Sequence, residues 1–130
     1  GMYDLDMDIF APCALGGILN TENIEKLKCN VVAGAANNQL LDENEHGLML
    51  SNKDILYAPD FLINAGGLIN VYSEYTGYNR ENAMADTEKI FDTTLAIYDL
   101  ASNENIHTQL AATKLAQKRI DDILSVQSTY

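Results

Sequence analysis

The chain has 130 residues, 47% of them hydrophobic and 21% charged, with a formal net charge of -11. Those proportions match a globular domain with a single core and exclude a disordered tail or a membrane bundle. The charge repels phosphate backbones and anionic lipid surfaces, and the Lys and Arg residues are scattered, so no nucleic-acid or membrane partner is expected.

Gly1 ahead of Met2 reads as a residue left by tag removal, and Asp4 and Asp6 stand where a secretory signal needs basic residues. No apolar run approaches membrane-spanning length, so a cytoplasmic location is expected. Met7 to Phe10 reads as a first strand. Pro12 and the pair Gly16-Gly17 then break the chain, and Thr21 is placed to cap a short helix from Glu22 to Leu27. Val31 to Ala33 is the second strand, followed by a small-residue loop from Gly34 to Leu40 and a polar helix from Asp42 to Leu50. Ile55 to Tyr57 is the third strand, ended by Pro59. From Asn64 onward the pattern Leu62, Ile63, Leu68, Ile69, Val71, Tyr72 and Tyr75 suits a helix buried on more than one side and closed by Gly77. Asn79 caps a long helix whose apolar positions are Met84, Ile90, Phe91, Leu95, Ile97, Tyr98 and Ala101. A final helix opens near Thr108 and presents Leu110, Ala111, Leu115, Ile120, Ile123 and Leu124, with Lys114, Lys118 and Arg119 on its wetter side.

Apolar runs alternating with helical patterns predict an α/β fold. The expected form is a partial Rossmann-like domain of about three parallel strands with flanking helices, followed by two long carboxyl-terminal helices. Residues 1–130 form one domain on this reading, with strand-helix units over 1–77 and terminal helices over 78–130. The sequence contains no G-x-G-x-x-G with an acidic residue about twenty positions later, so the phosphate-binding half of such a sheet is not in it. An edge strand this apolar needs a cover.

Ligands of open α/β sheets bind beyond the carboxyl ends of the strands. Three segments stand there: Ala11 to Gly17, the Asn37-Asn38 loop, and the turn into Asn64-Ala65-Gly66-Gly67. Small residues let a planar ligand approach the backbone, and Asn offers one acceptor and two donors, matching the carboxamide of a nicotinamide ring. Asn64 also suits a helix cap, and Asn37 or Asn38 the satisfaction of loop amides. Gly66 and Gly67 each cost up to about 1 kcal/mol inside a helix, which close packing or a close ligand must offset. Cys13 and Cys29 lack a second pair or a zinc-spaced His, so they read as reduced thiols with no metal. His46 and His107 read as surface or satisfied helix-end residues, and Asp42, Glu43 and Glu45 as a solvated face.

Four blocks carry a more specific signal: Ala11-Pro12-Cys13-Ala14-Leu15-Gly16-Gly17, Ala33-Gly34-Ala35-Ala36-Asn37-Asn38-Gln39-Leu40, Tyr57-Ala58-Pro59-Asp60, and Ile63-Asn64-Ala65-Gly66-Gly67-Leu68-Ile69-Asn70-Val71. In order and spacing they resemble consecutive blocks of the leucine dehydrogenases, within the glutamate, leucine, phenylalanine and valine dehydrogenase family, and Tyr78-Asn79-Arg80-Glu81 extends the similarity. The resemblance implies NAD-dependent oxidative deamination, in which hydride leaves the substrate Cα for the nicotinamide and the imine is hydrolysed to the 2-oxo acid. It implies that Ala14 and Leu15 line the adenosine side of the cofactor site. Asn38 would touch the nicotinamide end and the substrate, with Asn37 beside it, and Asn64 would hold the carboxamide. Leu68 and Val71 would form part of the pocket for a branched-chain amino acid; they lie three apart, so a helix puts both on one aliphatic face.

The family's catalytic lysine belongs to a glycine-rich stretch of an amino-terminal domain, and no lysine here has such surroundings. The expectation is therefore part of an NAD-dependent leucine dehydrogenase, inactive alone and weak or silent toward NAD. Two other readings fit the residues. One is a non-catalytic truncated Rossmann-like domain acting as a homo-oligomeric structural or interaction module, a second copy covering the sheet edge; the other is a stand-alone nucleotide sensor.

Overall fold

The computed structural model describes residues 1–127. After a 3-10 turn at Met2–Asp4 the elements run β1 (Ile9–Phe10), α1 (Thr21–Lys26), β2 (Val31–Val32), α2 (Glu43–Asn52), β3 (Leu56–Tyr57), α3 (Asp60–Ile63), α4 (Gly66–Thr76), α5 (Arg80–Glu104) and α6 (Thr108–Gln127). The three strands are parallel and ordered β1-β2-β3, as the alternation predicts. Ile9 and Phe10 align with Val31 and Val32, which align in turn with Leu56 and Tyr57.

Successive strand residues point to opposite faces, so these six form two rows. Phe10, Val32 and Tyr57 face a core completed by Leu19, Leu40, Ile24 from α1 and Leu50 from α2. Burying each aliphatic side chain there stabilises the fold by ~1.5–3 kcal/mol. The other row is open: Ile9 is 59% and Leu56 41% exposed. Parallel sheets are ordinarily covered on both faces, so this one is half dressed.

Capping fixes the helices around that core. The cap of α1 is Asn20 rather than the expected Thr21: the Asn20 side chain accepts from the Asn23 amide at 3.0 Å, and the extended backbone at Asn20 starts the helix one residue earlier. Thr21 instead hydrogen-bonds the His46 ring at 3.2 Å. At the other end of α1, the Lys53 ammonium donates to the carbonyls of Ile24, Glu25 and Leu27 at 2.8, 2.8 and 3.2 Å. A cation on a helix carboxyl terminus satisfies orphan carbonyls and opposes the dipole, and here it ties α1 to the residue that closes α2. Asp42 caps α2 through the amides of Asn44 and Glu45, and the Asp42 amide donates to His46 Nδ1 at 2.8 Å.

The single helix expected from the Leu62-to-Tyr75 pattern is two. Asn64 closes α3, and α4 opens at Gly66, which moves Gly66 and Gly67 into a first turn. Burial on more than one side of α4 is also corrected: it has no fully buried residue and packs chiefly on α5. Gly77, at φ 99, ends it.

Asn79 caps α5 through the Asn82 amide at 3.1 Å, as expected. Ile97 and Ala101 of α5 meet Ala111 and Ala112 of α6 in a second, smaller core. Met84, Phe91, Leu95, Ile120, Ile123 and Leu124 stay exposed, contrary to their periodicity, because both helices outrun the surface they pack on. α6 docks through its first turn: Thr108 Oγ1 donates to the Tyr57 carbonyl at 2.6 Å, and the Leu110 amide donates to His107 Nδ1 at 3.3 Å. His46 and His107 are satisfied helix-start residues, but both are buried rather than on the surface.

Gly47 of α2 lies against His107, the residue before α6: a Cβ there would stand 2.6 Å from His107 Nδ1 and 2.8 Å from its Cε1. Gly47→Ala is therefore expected to lower stability by about 1–3 kcal/mol through overpacking, read as a lower urea midpoint. Burial also pushes the His107 pKa below its ordinary 6.5. The unfolded chain then binds the proton more readily than the folded one, so this contribution is complete above pH 6.5 and is lost as pH falls toward the depressed folded value. Urea midpoints measured across that window should fall more steeply with acid in the native chain than in His107→Gln.

Candidate cofactor site at the carboxyl edge of the sheet

The segments that leave β1, β2 and β3 meet at one lip. Those after β1 and β2 are pressed together at two glycines. A Cβ at Gly34 would lie 2.1 Å from the Pro12 carbonyl oxygen and 2.4 Å from its nitrogen, and one at Gly16 would lie 2.8 Å from the Asn37 carbonyl oxygen. No side chain fits at either place. Main-chain bonds follow the contact: Ala36 N donates to Pro12 O at 3.0 Å, Gly17 N to Asn38 O at 2.7 Å and Leu19 N to Gln39 O at 3.0 Å.

Gln39, fully buried, holds the β2 loop from inside. Its Nε2 donates to the carbonyls of Gly34 and Ala36 at 2.7 and 2.9 Å. Its backbone amide donates to Asp60 Oδ2 at 2.8 Å, and Asp60 is the buried first residue of α3. Tyr57, under the same lip, has its phenol pushed above the ordinary range, first by burial and then by the nearby Asp60 carboxylate, so it stays protonated.

On this base Asn37 and Asn64 come together: Asn64 Nδ2 donates to Asn37 Oδ1 at 2.6 Å. That bond uses one donor and one acceptor of the pair. Asn37 Nδ2 and Asn64 Oδ1 remain to offer a ligand one donor and one acceptor, the complement of a primary carboxamide. Asn38, next along, adopts a left-handed backbone at φ 52 and lines a recess of about 180 Å³ with Leu40, Tyr57, Asp60 and Gln109. Ala14 and Leu15 are exposed just ahead of Gly16, on the loop that touches the Asn37 and Asn38 backbone.

Leu68 and Val71 stand apart from this cluster. Both lie on the outer side of α4, 73% and 62% exposed. Leu68 lines a groove of about 530 Å³ against α5 with Leu62, Ala65, Ile69, Tyr72 and Ile90, while Val71 lines neither that groove nor the recess at Asn38. Packing within the described residues does not require the α4 glycines: a Cβ at Gly66 would meet Thr87 Cγ2 at an ordinary 3.6 Å, and one at Gly67 nothing within 4 Å.

Sequence reasoning passed over Gln39 and Asp60. Asp60 had a signal, an acidic residue directly after a proline at a helix start; Gln39 had only its place beside the two asparagines. Among the described residues no group of three or more His, Cys, Asp or Glu could hold a metal ion, and no helix is long and apolar enough to cross a membrane. Burial pushes the Cys29 thiol pKa upward, which makes it a poor nucleophile.

The model of the glutamate/leucine/phenylalanine/valine dehydrogenase family matches residues 1–127. The chain belongs to this family. It is 54% identical to a leucine dehydrogenase of Thermoactinomyces intermedius over 129 residues, covering 99% of this chain and 35% of that protein. It is 50% identical to a phenylalanine dehydrogenase of Bacillus thermotolerans, covering 92% of this chain and 31% of that one. The crystal structure of an L-tryptophan dehydrogenase from Nostoc punctiforme matches with a TM-score of 0.89 at 54% identity, over 92% of this chain and 36% of that chain. The chain thus spans about a third of the length of the dehydrogenases it matches.

The close approach at the lip gives a ranked expectation. Gly34→Ala, which drives a methyl into backbone, should cost about 3 kcal/mol or more. Gly16→Ala, whose nearest clash is 2.8 Å rather than 2.1 Å, should cost less. Thermal midpoints of the two variants check the order.

Proposed function

We propose that this chain is the carboxyl-terminal half of the dinucleotide-binding domain of an NAD-dependent amino-acid dehydrogenase acting on branched-chain substrates, leucine first. The reaction turns the amino acid, oxidised NAD and water into the 2-oxo acid, ammonium, reduced cofactor and a proton. The observation that carries the reading is the Asn37–Asn64 pair, which presents an amide donor and an amide acceptor at the carboxyl edge of a parallel sheet. When bound, NAD supplies the two-electron acceptor. Asn64 and Asn37 hold its carboxamide, Asn38 stands between nicotinamide and substrate, and Ala14 and Leu15 flank the adenosine side.

No lysine or acid of this chain takes the proton-transfer role, and no glycine-rich loop here grips the pyrophosphate. Both belong to a longer enzyme, and the chain alone is inactive. The half-covered sheet supports this: the outer edge of β1 and the open row of Ile9, Val31 and Leu56 offer a place for further strands and helices. On this reading they come from a longer chain, in keeping with the 35% of the leucine dehydrogenase that is matched, and a second copy over the sheet edge is the alternative. Two free cysteines suit a reducing cytoplasm.

Leu68 and Val71 form one wall of the side-chain pocket, and the facing wall lies outside this chain. An aliphatic wall separates substrates by ~1–3 kcal/mol per methylene. It favours leucine, isoleucine and valine over polar side chains while distinguishing little among the three.

Steady-state kinetics on the longer enzyme test the reading. Asn64→Ala should raise the KM for NAD by roughly tenfold, the loss expected for one buried hydrogen bond, with a smaller change in the KM for leucine. Val71→Ser should lower kcat/KM for leucine more than for alanine. An unaltered KM for NAD in Asn64→Ala would remove the carboxamide cradle, and a native preference for tryptophan or phenylalanine over leucine would remove the branched-chain assignment.

A further inference from the structure

Asn37 and Asn64 belong to different segments, and their pairing needs the β2 loop and the α3–α4 joint to hold a fixed distance. Two buried side chains act at that joint: Gln39 holds the β2 loop from inside, and Asp60 ties the loop to α3. Gln39 Nε2 bonds Gly34 O and Ala36 O, closing the loop around Ala35 and setting the residue before Asn37. The Gln39 amide, directly after the left-handed Asn38, bonds Asp60 Oδ2. The Asp60 carbonyl in turn accepts from the Asn64 amide at 3.0 Å, as α3 closes. One residue therefore touches the loop through its side chain and Asn64 through its backbone.

We infer that Gln39 and Asp60 are positioning residues for the nicotinamide end of the cofactor, joining the Asn37-Asn38 loop to Asn64. The inference rests on the cofactor reading above. Each acts through the bonds that hold the asparagines in place. Gln39 is fully buried and Asp60 is 8% exposed, so their bonds are kept from water, and a lost partner leaves an amide or a carbonyl unsatisfied. A few tenths of an ångström at this joint moves the Asn37–Asn64 bond, and with it the free donor and acceptor. The adenosine side, on the β1 loop, is held by main-chain contacts, Gly34 against Pro12 and Gly17 N to Asn38 O, rather than by either side chain.

The test uses the longer enzyme that contains this chain, with NAD as cofactor and ADP, which lacks the nicotinamide half, as competitive inhibitor. Asp60→Ala and Gln39→Leu should each raise the KM for NAD by roughly tenfold while the inhibition constant of ADP stays within about twofold. Asp60→Asn keeps an oxygen to accept from the Gln39 amide, so it should restore the KM for NAD to within about threefold of the parent. A role confined to stability would lower the melting temperature and leave that split unmoved. Equal weakening of ADP and NAD overturns the inference, as does an unchanged KM for NAD in folded Asp60→Ala or Gln39→Leu, or a loss in Asp60→Asn as large as in Asp60→Ala. If Asp60→Ala does not fold, Gln39→Leu and Asp60→Asn decide. Asn64→Ala separates the two levels. If it leaves the KM for NAD unchanged, the cofactor reading falls and takes this inference with it; if it raises that KM and Asp60→Ala and Gln39→Leu do not, this inference alone falls.

Discussion

Everything at the lip of the sheet depends on how closely the backbone after β2 approaches the backbone after β1. With a Cβ barred at Gly34 by the Pro12 main chain, two loops that would otherwise be independent become one surface. Glycine costs conformational entropy at such a position, and the contact is stable because main-chain bonds from Ala36, Gly17 and Leu19 close around it. Asn37 and Asn38 are then carried by a packed base rather than by a free loop. A site held this way is preorganised, because the ordering is completed on folding and not on binding.

The molecule divides into a well-covered part and an open part. Around Phe10, Val32 and Tyr57 the core is continuous, and its helices are capped at both ends by Asn20, Lys53 and Asp42. Beyond Asn64 the packing thins: α4 rests chiefly on α5, and Leu68, Val71, Tyr72 and Tyr75 face outward at helical spacing. Isolated exposed apolar residues are ordinary, whereas a repeated stripe of them marks a surface made to be covered. The open row of the sheet follows the same pattern. Both surfaces fit a chain that matches about a third of its relatives' length.

The sequence made the fold legible where period and punctuation agreed. Val31-Val32 and Leu56-Tyr57 stand between turn residues, and Asn79 sits one residue before a long apolar period; all three elements lie where expected. It misled where two signals were equivalent or where a partner was absent. Asn20 and Thr21 are both cap formers, and the extended backbone at Asn20 and its side-chain bond to the Asn23 amide separate them. Ile120, Ile123 and Leu124 have the spacing of a buried face, but periodicity records that a face exists, not that this chain covers it. The same distinction holds at the site. Asn37 and Asn64 stood out as carboxamides at strand ends, yet Gln39 and Asp60 act through buried bonds across the chain, which no local spacing encodes.

Charge explains why such a lip, on the proposed reading, would take one end of a dinucleotide and not the other. The three segments that form it, residues 11–20, 33–42 and 58–65, contain no Lys, Arg or His. In a chain of net charge -11, the field there disfavours phosphate, and no local cation offsets it. Lys53, a cation of the same half, already caps α1. Neutral carboxamides work differently. They act over hydrogen-bond distance, carry no net charge to be opposed by the field, and match a partner of the same kind donor for acceptor. A flat amide-bearing ring can therefore be held where a phosphate would be repelled; on the proposed reading, the pyrophosphate would be gripped by backbone amides of a strand-to-helix turn elsewhere in the longer enzyme.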